Sequence, residues 1–291
     1  METKRVRVIG AGLAGSEAAL QLASFGFDVD LYEMRPEKPT PAHRGGALAQ
    51  LVCSNSFKGL ALTSAHGLLK NELNMLGNFL LKAAERTAVP AGESLTVNRD
   101  LFSEEVERLI LACPNITLHR EEVKTLEGEF PTIVAAGPLA SDTLADDIFK
   151  RLGSERLHFF DAIAPVVETE SIDFEHAFYK NRWEKGETED FINCPLDKET
   201  YDLFVQKLRE AESIEPRPFE KHELFEGCLP IEEMARRGTE TLRYGPMRPV
   251  GLGINPTGKK WHAVIQLRAE NAQKTLFNMV GFQTRLKWGT Q

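Results

Sequence analysis

The segment RVRVIGAGLAGSEAALQLASFGFDVDLYE, residues 5–33, constrains the fold of this 291-residue chain more than any other. Arg5 to Ile9 alternates in polarity and is rich in β-branched residues, as a buried strand requires. The turn Gly10-Ala11-Gly12-Leu13-Ala14-Gly15 follows at once, in the spacing G-x-G-x-x-G. The next stretch, SEAALQLASFG, places apolar residues at helical spacing and supplies Gly26 as a stop. Asp28 to Tyr32 then reads as a second strand ending in Glu33. Each glycine has a physical role in such a βαβ unit. Gly10 permits the tight turn, Gly12 lets the backbone approach a pyrophosphate, and Gly15 lets the helix lie close to the strand. The free N–H groups of the helix start favour negative charge, so the whole turn is a candidate dinucleotide-binding loop. Glu33 lies eighteen residues past Gly15. There its carboxylate is placed to accept hydrogen bonds from both hydroxyls of an adenosine ribose, which disfavours a 2′-phosphate.

Two further features favour FAD over NAD. TIVAAGP, residues 132–138, resembles the strand that two-dinucleotide flavoproteins place beside the flavin, with Gly137 at its end. Arg35 stands two residues past Glu33, in reach of the adenosine half. The expected fold is α/β, a Rossmann-like FAD-binding domain with an inserted or following mixed α+β domain. The change of pattern near residue 150 sets expected domains of 1–150 and 151–291, the second for substrate. Helices are expected over 66–88, 99–112 and 197–211. Strands are expected at Ile116–His119, Glu122–Leu126 and Thr132–Ala135, and within LHFFDAIAPVVE and WHAVIQL.

Composition narrows the function classes. No run of eighteen apolar residues exists, and the first apolar stretch is too short and glycine-rich for a signal peptide. A cytoplasmic protein without a membrane span is expected. The four cysteines, Cys53, Cys113, Cys194 and Cys228, contain no CxxC pair and define neither a zinc ribbon nor a disulfide framework. No metal site is expected. Cys113 and Cys194 read as inert thiols. Cys53, in the accessible small polar run LVCSNS, reads on its residues alone as one more inert thiol, and Cys228 precedes Pro230 and an expected helix from Ile231, whose positive end would lower a thiol pKa.

Eleven blocks then occur in order: GAGLAGSEAA, LYEMRP, TPAH, LVCSNS, VPAG, AAGPL, NCP, FEGCLP, YGPMRPVGL, AVIQLR and GFQTRLKWG. Together they resemble the folate- and FAD-dependent tRNA (uracil-5-)-methyltransferases, the TrmFO family, across nearly the whole chain. The resemblance implies methylation of C5 of a T-loop uridine in tRNA. Methylenetetrahydrofolate would be the carbon source and FAD, reduced by NAD(P)H, the electron source. Uracil C5 becomes nucleophilic once a thiolate adds to C6. Cys228 matches the family cysteine given that role, and Cys53 matches the second family cysteine, beside flavin and folate. For the RNA, residues 231–291 carry ten Lys/Arg against four Asp/Glu, although the whole chain has a net charge of −8. Arg236, Arg237, Arg243, Arg248, Lys259, Lys260, Arg285 and Lys287 form the expected electrostatic footprint, with Tyr244 and Trp261 as stacking aromatics.

Two departures from the family pattern stand out. RGGALAQ, residues 44–50, replaces a more polar segment beside the active-site loop. The chain also stops at LKWGTQ, where the family continues with a segment that returns to the first domain and covers the flavin ring. The alternative readings are a non-catalytic nucleotide- or tRNA-binding homologue without stable flavin, and a generic FAD oxidoreductase.

Overall fold

The computed structural model describes residues 4–40, 42–152, 164–186, 188–213, 229–254, 258 and 260–287. In chain order the first elements are β1 (Arg5–Ile9), α1 (Leu13–Ser24), β2 (Asp28–Tyr32), β3 (Ser56–Gly59), α2 (Ala65–Met75), α3 (Phe79–Arg86), β4 (Ala88–Val89), β5 (Ser94–Val97) and α4 (Arg99–Leu111). They are followed by β6 (Ile116–His119), β7 (Thr132–Val134), α5 (Asp142–Leu152), β8 (Val166–Glu168), β9 (Phe178–Tyr179) and β10 (Phe191–Leu196). The last are α6 (Lys198–Glu210), α7 (Ile231–Arg237), α8 (Thr241–Tyr244), β11 (Ala263–Ala269) and β12 (Leu276–Met279). Two compact units result. One comprises Met1–Val52, Ala61–Ala88 and Arg99–Phe159; the other comprises Cys53–Leu60, Val89–Asn98 and Phe160–Gln291. Among the described residues no helix is long and apolar enough to cross a membrane.

The first unit is built on a parallel sheet in the order β6-β2-β1-β7. Val6, Val8 and Ile9 of β1 and Val29 and Leu31 of β2 are buried in it. Ala19, Leu20 and Ala23 of α1 and Phe102, Val106 and Ile110 of α4 are buried as well. Each large apolar side chain removed from water in this way contributes roughly 1.5–3 kcal/mol. The chain winds from β1 to β2 to β6 on one side, then crosses to β7 on the other. This reversal of strand order leaves a crevice beyond the carboxyl ends of β1 and β7, where open α/β sheets bind their ligands.

Two expectations for this unit are corrected. Residues 66–88 form two helices rather than one, because Gly77 takes the left-handed conformation (φ 82°) and Asn78 starts a new cap, its Oδ1 accepting the Leu81 N–H at 2.8 Å. The Glu17 carboxylate accepts the Phe79 and Leu80 N–H groups, an anion against the positive end of α3. Of the leucines that set the helical period, Leu80 is buried while Leu68, Leu69 and Leu76 are exposed. Glu122–Leu126 is not a strand. Its backbone is held by side chains instead: the Leu126 N–H donates to Asp147, and the Leu126 carbonyl accepts from Arg7.

The second unit carries an antiparallel sheet in the order β8-β12-β11-β10-β9, and β3 pairs with β5. Tyr201, Val205 and Leu208 of α6 pack with Ile231 and Ala235 of α7, Leu242, Met247, Ala263 and Phe282 in one apolar core. Ile192, Leu267, Ala269 and Phe277 form another. α6 starts where Asp197 caps it, its Oδ1 accepting the Thr200 N–H at 2.8 Å. Pro230 is the N-cap of α7, which starts at Ile231 as expected. Of LHFFDAIAPVVE only the end lies within the described residues, as β8.

Candidate functional site

The glycine turn sits at the switch point between β1 and β7. Gly10 has φ 98°, and a Cβ there would lie 2.6 Å from the Ala135 carbonyl oxygen. A Cβ on Gly15 would lie 1.7 Å from the Gly10 carbonyl oxygen. Gly12 is different: it is the extended N-cap of α1, no side chain caps the helix, and a Cβ would meet nothing within 4 Å. Leu13 and Ala14 of the first turn are exposed. The result is an open cradle of helix N–H groups with room for a phosphate. Gly137 follows β7 with φ 66° and equal room around it.

The RGGALAQ segment closes the underside of this turn. Leu48 and Ala49 are fully buried, and the Ala49 N–H donates to the Ala11 carbonyl at 2.9 Å. Gln50 ties the segment into a loop by bonding the N–H and carbonyl of Arg44. Its apolar composition therefore serves packing against the turn.

Glu33 is 6% exposed, and its carboxylate has four acceptor positions, all used. Oε1 accepts the Arg35 N–H at 3.0 Å and Nε at 2.8 Å; Oε2 accepts Arg35 Nη2 at 3.1 Å and the Ala11 N–H at 3.3 Å. Arg35 Nη1 is buried with no partner among the described residues. A ribose diol would take the place of guanidinium N–H groups, freeing Arg35 for the rest of an anionic ligand. Burial pushes the Glu33 carboxyl up, but Arg35's hydrogen bond and charge outweigh it, so the net shift is downward. Nearby, burial and then the Arg35 charge push His43 below its usual range, leaving a neutral imidazole bonded to Thr40 Oγ1 at 2.7 Å.

Glu33→Gln is expected to destabilise the folded chain by about 3 kcal/mol, since it leaves the Arg35 charge buried against a neutral partner. Because the folded carboxyl titrates lower than the unfolded one, the Glu33 contribution is complete above about pH 4.3 and is lost as pH falls through the folded value. Urea unfolding from pH 7 to pH 3 checks this: the gap between the parent and the variant narrows on the acid side.

In the second unit, Cys53 is exposed and is followed directly by Ser54 and Asn55, the latter fully buried. Cys228 and Lys259 lie outside the described residues. Cys194 stands in β10 opposite Ile265, and burial pushes its thiol up, which suits an inert group.

The basic residues divide. Arg237, Arg248 and Lys260 are exposed. Arg236 pairs with Glu233 at 2.5 Å and Lys287 with Glu212 at 2.7 Å. Arg243 pairs with Glu240 at 2.9 Å and lies over the ring of Tyr244, which is 74% exposed. Such surface pairs are worth about 0–1 kcal/mol and exchange readily for phosphate. Arg285 departs from the expected face: its side chain is 10% exposed and turned toward Glu233. Trp261 is half-buried and stacks on Phe178 at 5.7 Å. Beside it lies a recess of about 240 Å³ lined in part by Lys198, Lys260, Trp261 and His262.

Sequence reasoning missed a buried polar face on β11. Gln266 and Arg268 alternate with apolar residues there, and Glu270 follows just past the strand's end. The signal was the alternation itself in AVIQLRAE, which places three polar residues on one side of a strand.

The family model described as "Glucose inhibited division protein A" matches residues 5–291. The methylenetetrahydrofolate--tRNA-(uracil-5-)-methyltransferase TrmFO of Desulfitobacterium hafniense is 51% identical over 286 residues, 98% of this chain and 65% of that protein. The protein of the same name from Lactobacillus helveticus is 50% identical over 288 residues, 99% of this chain and 70% of its own length.

The chain belongs to the TrmFO family.

It spans about 65% of the length of the first of these relatives. Among solved structures, Aquifex aeolicus GidA superposes with a TM-score of 0.67 at 16% identity, over 98% of this chain and 51% of that one. That likeness shows the shared fold, a Rossmann-like unit joined to a mixed one.

Proposed function

We propose that this chain performs the TrmFO reaction, moving a one-carbon unit from methylenetetrahydrofolate to C5 of a T-loop uridine in tRNA, in the cytoplasm. The observation that carries the reading is the open glycine cradle at the β1–β7 switch point, in a chain 51% identical to a protein of that name. The cradle fits FAD: space at Gly12 for the pyrophosphate, the buried carboxylate of Glu33 for the ribose, and Arg35 Nη1, unpartnered among the described residues, for the adenosine half. Ala11, Leu13, Ala14 and Gly137 complete the contact set. Bound FAD, reduced by NAD(P)H, supplies the electrons that turn the transferred carbon into a methyl group.

The residues of the chain do the rest. The Cys228 thiolate adds to uracil C6 and raises electron density at C5; once the carbon is bonded there, loss of the C5 proton and departure of the thiolate restore the ring. Cys53 serves the transfer as the second family cysteine. The tRNA backbone is met by Arg236, Arg237, Arg243, Arg248, Lys259, Lys260 and Lys287, with Tyr244 free to stack on a base. The recess beside Trp261 and Lys260 has room for one base. Arg285, whose side chain is only 10% exposed and lies 3.9 Å from Glu233, is left out of this set.

The test is a visible spectrum and a methylation assay. The purified chain is expected to show bound-flavin absorbance, and to methylate a tRNA transcript only when methylenetetrahydrofolate and NADPH or NADH are both present. A flavin-loaded chain that transfers no methyl group under those conditions overturns the reading.

A further inference from the structure

The loop that carries Cys53 is fastened by a cluster that no part of the reaction above uses. Arg268 in β11 stands directly opposite Asn278 in β12. Its Nε donates to Asn55 Oδ1 at 3.0 Å, and its Nη2 donates to Ser54 Oγ at 2.8 Å and to Asn278 Oδ1 at 3.2 Å. Asn278 Nδ2 donates to the same Asn55 oxygen at 3.0 Å and to Glu270 Oε1 at 2.6 Å. Asn55 Nδ2 completes the set on the carbonyls of Val97 and Ala269. Arg268 and Glu270 are each 9% exposed, Asn278 1% and Asn55 0%.

Every hydrogen-bonding position of the Asn55 side chain is therefore engaged, and Ser54 is held by the same guanidinium fork. These are the two residues after Cys53, so the fork fixes the chain one and two links from the thiol. An apolar side chain on this face of β11 would bury as well without the cost of desolvating a guanidinium. The specific gain from a planar, charged fork is direction: it holds two acceptors at set angles, which a flexible ammonium does not.

We propose that Arg268, supported by Asn278 and Glu270, is a positioning residue for Cys53. The proposal rests on the reading that Cys53 serves the methyl transfer. Gln266 supplies the control: it lies on the same polar face and is as buried, but bonds Asn193 and Arg182 instead of the loop.

Two readouts on the full chain test it, with Arg268→Met, Arg268→Lys, Gln266→Leu, Cys53→Ala and the Arg268→Met/Cys53→Ala pair. The first is amide hydrogen exchange over residues 51–58, which needs no activity. Arg268→Met is expected to speed exchange there about tenfold and Arg268→Lys less, while Gln266→Leu leaves it unchanged. The second is kinetic. Arg268→Met is expected to lower kcat about 100-fold with KM for tRNA held within about threefold, the pattern of a displaced reacting group. In the Cys53→Ala background the same substitution is expected to add no further loss, because the effect passes through the thiol. Unchanged exchange in both Arg268 variants, or full additivity in the double variant, overturns the proposal. If Cys53→Ala itself leaves methylation untouched, the underlying reading of Cys53 fails instead, and the positioning role falls with it.

Discussion

Gly15→Ala is expected to cost the first unit more than about 3 kcal/mol and to abolish flavin binding with it, because the new methyl group would lie 1.7 Å from the Gly10 carbonyl oxygen. No side chain can yield there: the obstacle is backbone, and α1 would have to lift off β1. That movement would open the packing of Ala19, Leu20 and Ala23, which are buried along the same helix. Gly12→Ala makes the complementary case. Its methyl group meets nothing within 4 Å, and glycine and alanine differ at an N-cap by less than about 1 kcal/mol. The fold should survive, and the methyl group then occupies the space a pyrophosphate needs. A loss of at least about tenfold in FAD affinity is expected, equal to about 1.4 kcal/mol. Urea unfolding and flavin titration of both variants separate the two roles. A Gly15→Ala chain as stable as its parent, or a Gly12→Ala chain that holds FAD unchanged, would contradict this account of the turn.

The contrast also explains what could be read from the sequence. Gly10, Gly12 and Gly15 each answer a local steric demand, so their spacing announced β1, α1 and β2 together with the turn between them. AAGP carried the same kind of signal, and Ala135 and Ala136 are the residues whose backbone a Cβ on Gly10 would strike. Pairings were less visible. Glu33 and Arg35 each suggested a ligand contact, but two side chains so close at a strand end satisfy one another until a ligand intervenes. Charge alone grouped Arg285 with Arg237, although one is packed against Glu233 and the other exposed. The leucines of residues 66–88 had helical spacing, and that spacing does not record that Gly77 ends the first helix. The polar face of β11 was the largest omission. Gln266 and Arg268 sit in a strand that its valine, isoleucine and leucine marked as core, and only the partners Asn193, Asn55 and Asn278 show why a core strand carries them.

Cys228→Ala is expected to reduce methyl transfer at least about 1,000-fold, since it removes the thiolate proposed to add to C6 and make C5 reactive. The two cysteines can be told apart by the fate of the hydrogen on C5. Reversible thiolate addition at C6 allows C5 to take up a solvent proton and release its own, so tritium at uridine C5 is lost to water even when no carbon is transferred. Cys228→Ala is expected to stop that release along with methylation. Cys53→Ala is expected to slow methylation about 100-fold, to a rate still measurable, while release continues, because activation of the base is proposed to pass through Cys228 instead. Folding is a lesser concern for Cys53, which is exposed, and the flavin absorbance of each variant confirms that the first unit is intact. Tritium release that persists in Cys228→Ala and vanishes in Cys53→Ala would exchange the two roles. Asn55 and Arg268 would then be holding the attacking thiol, and the 100-fold loss expected for Arg268→Met would appear in the release assay as well.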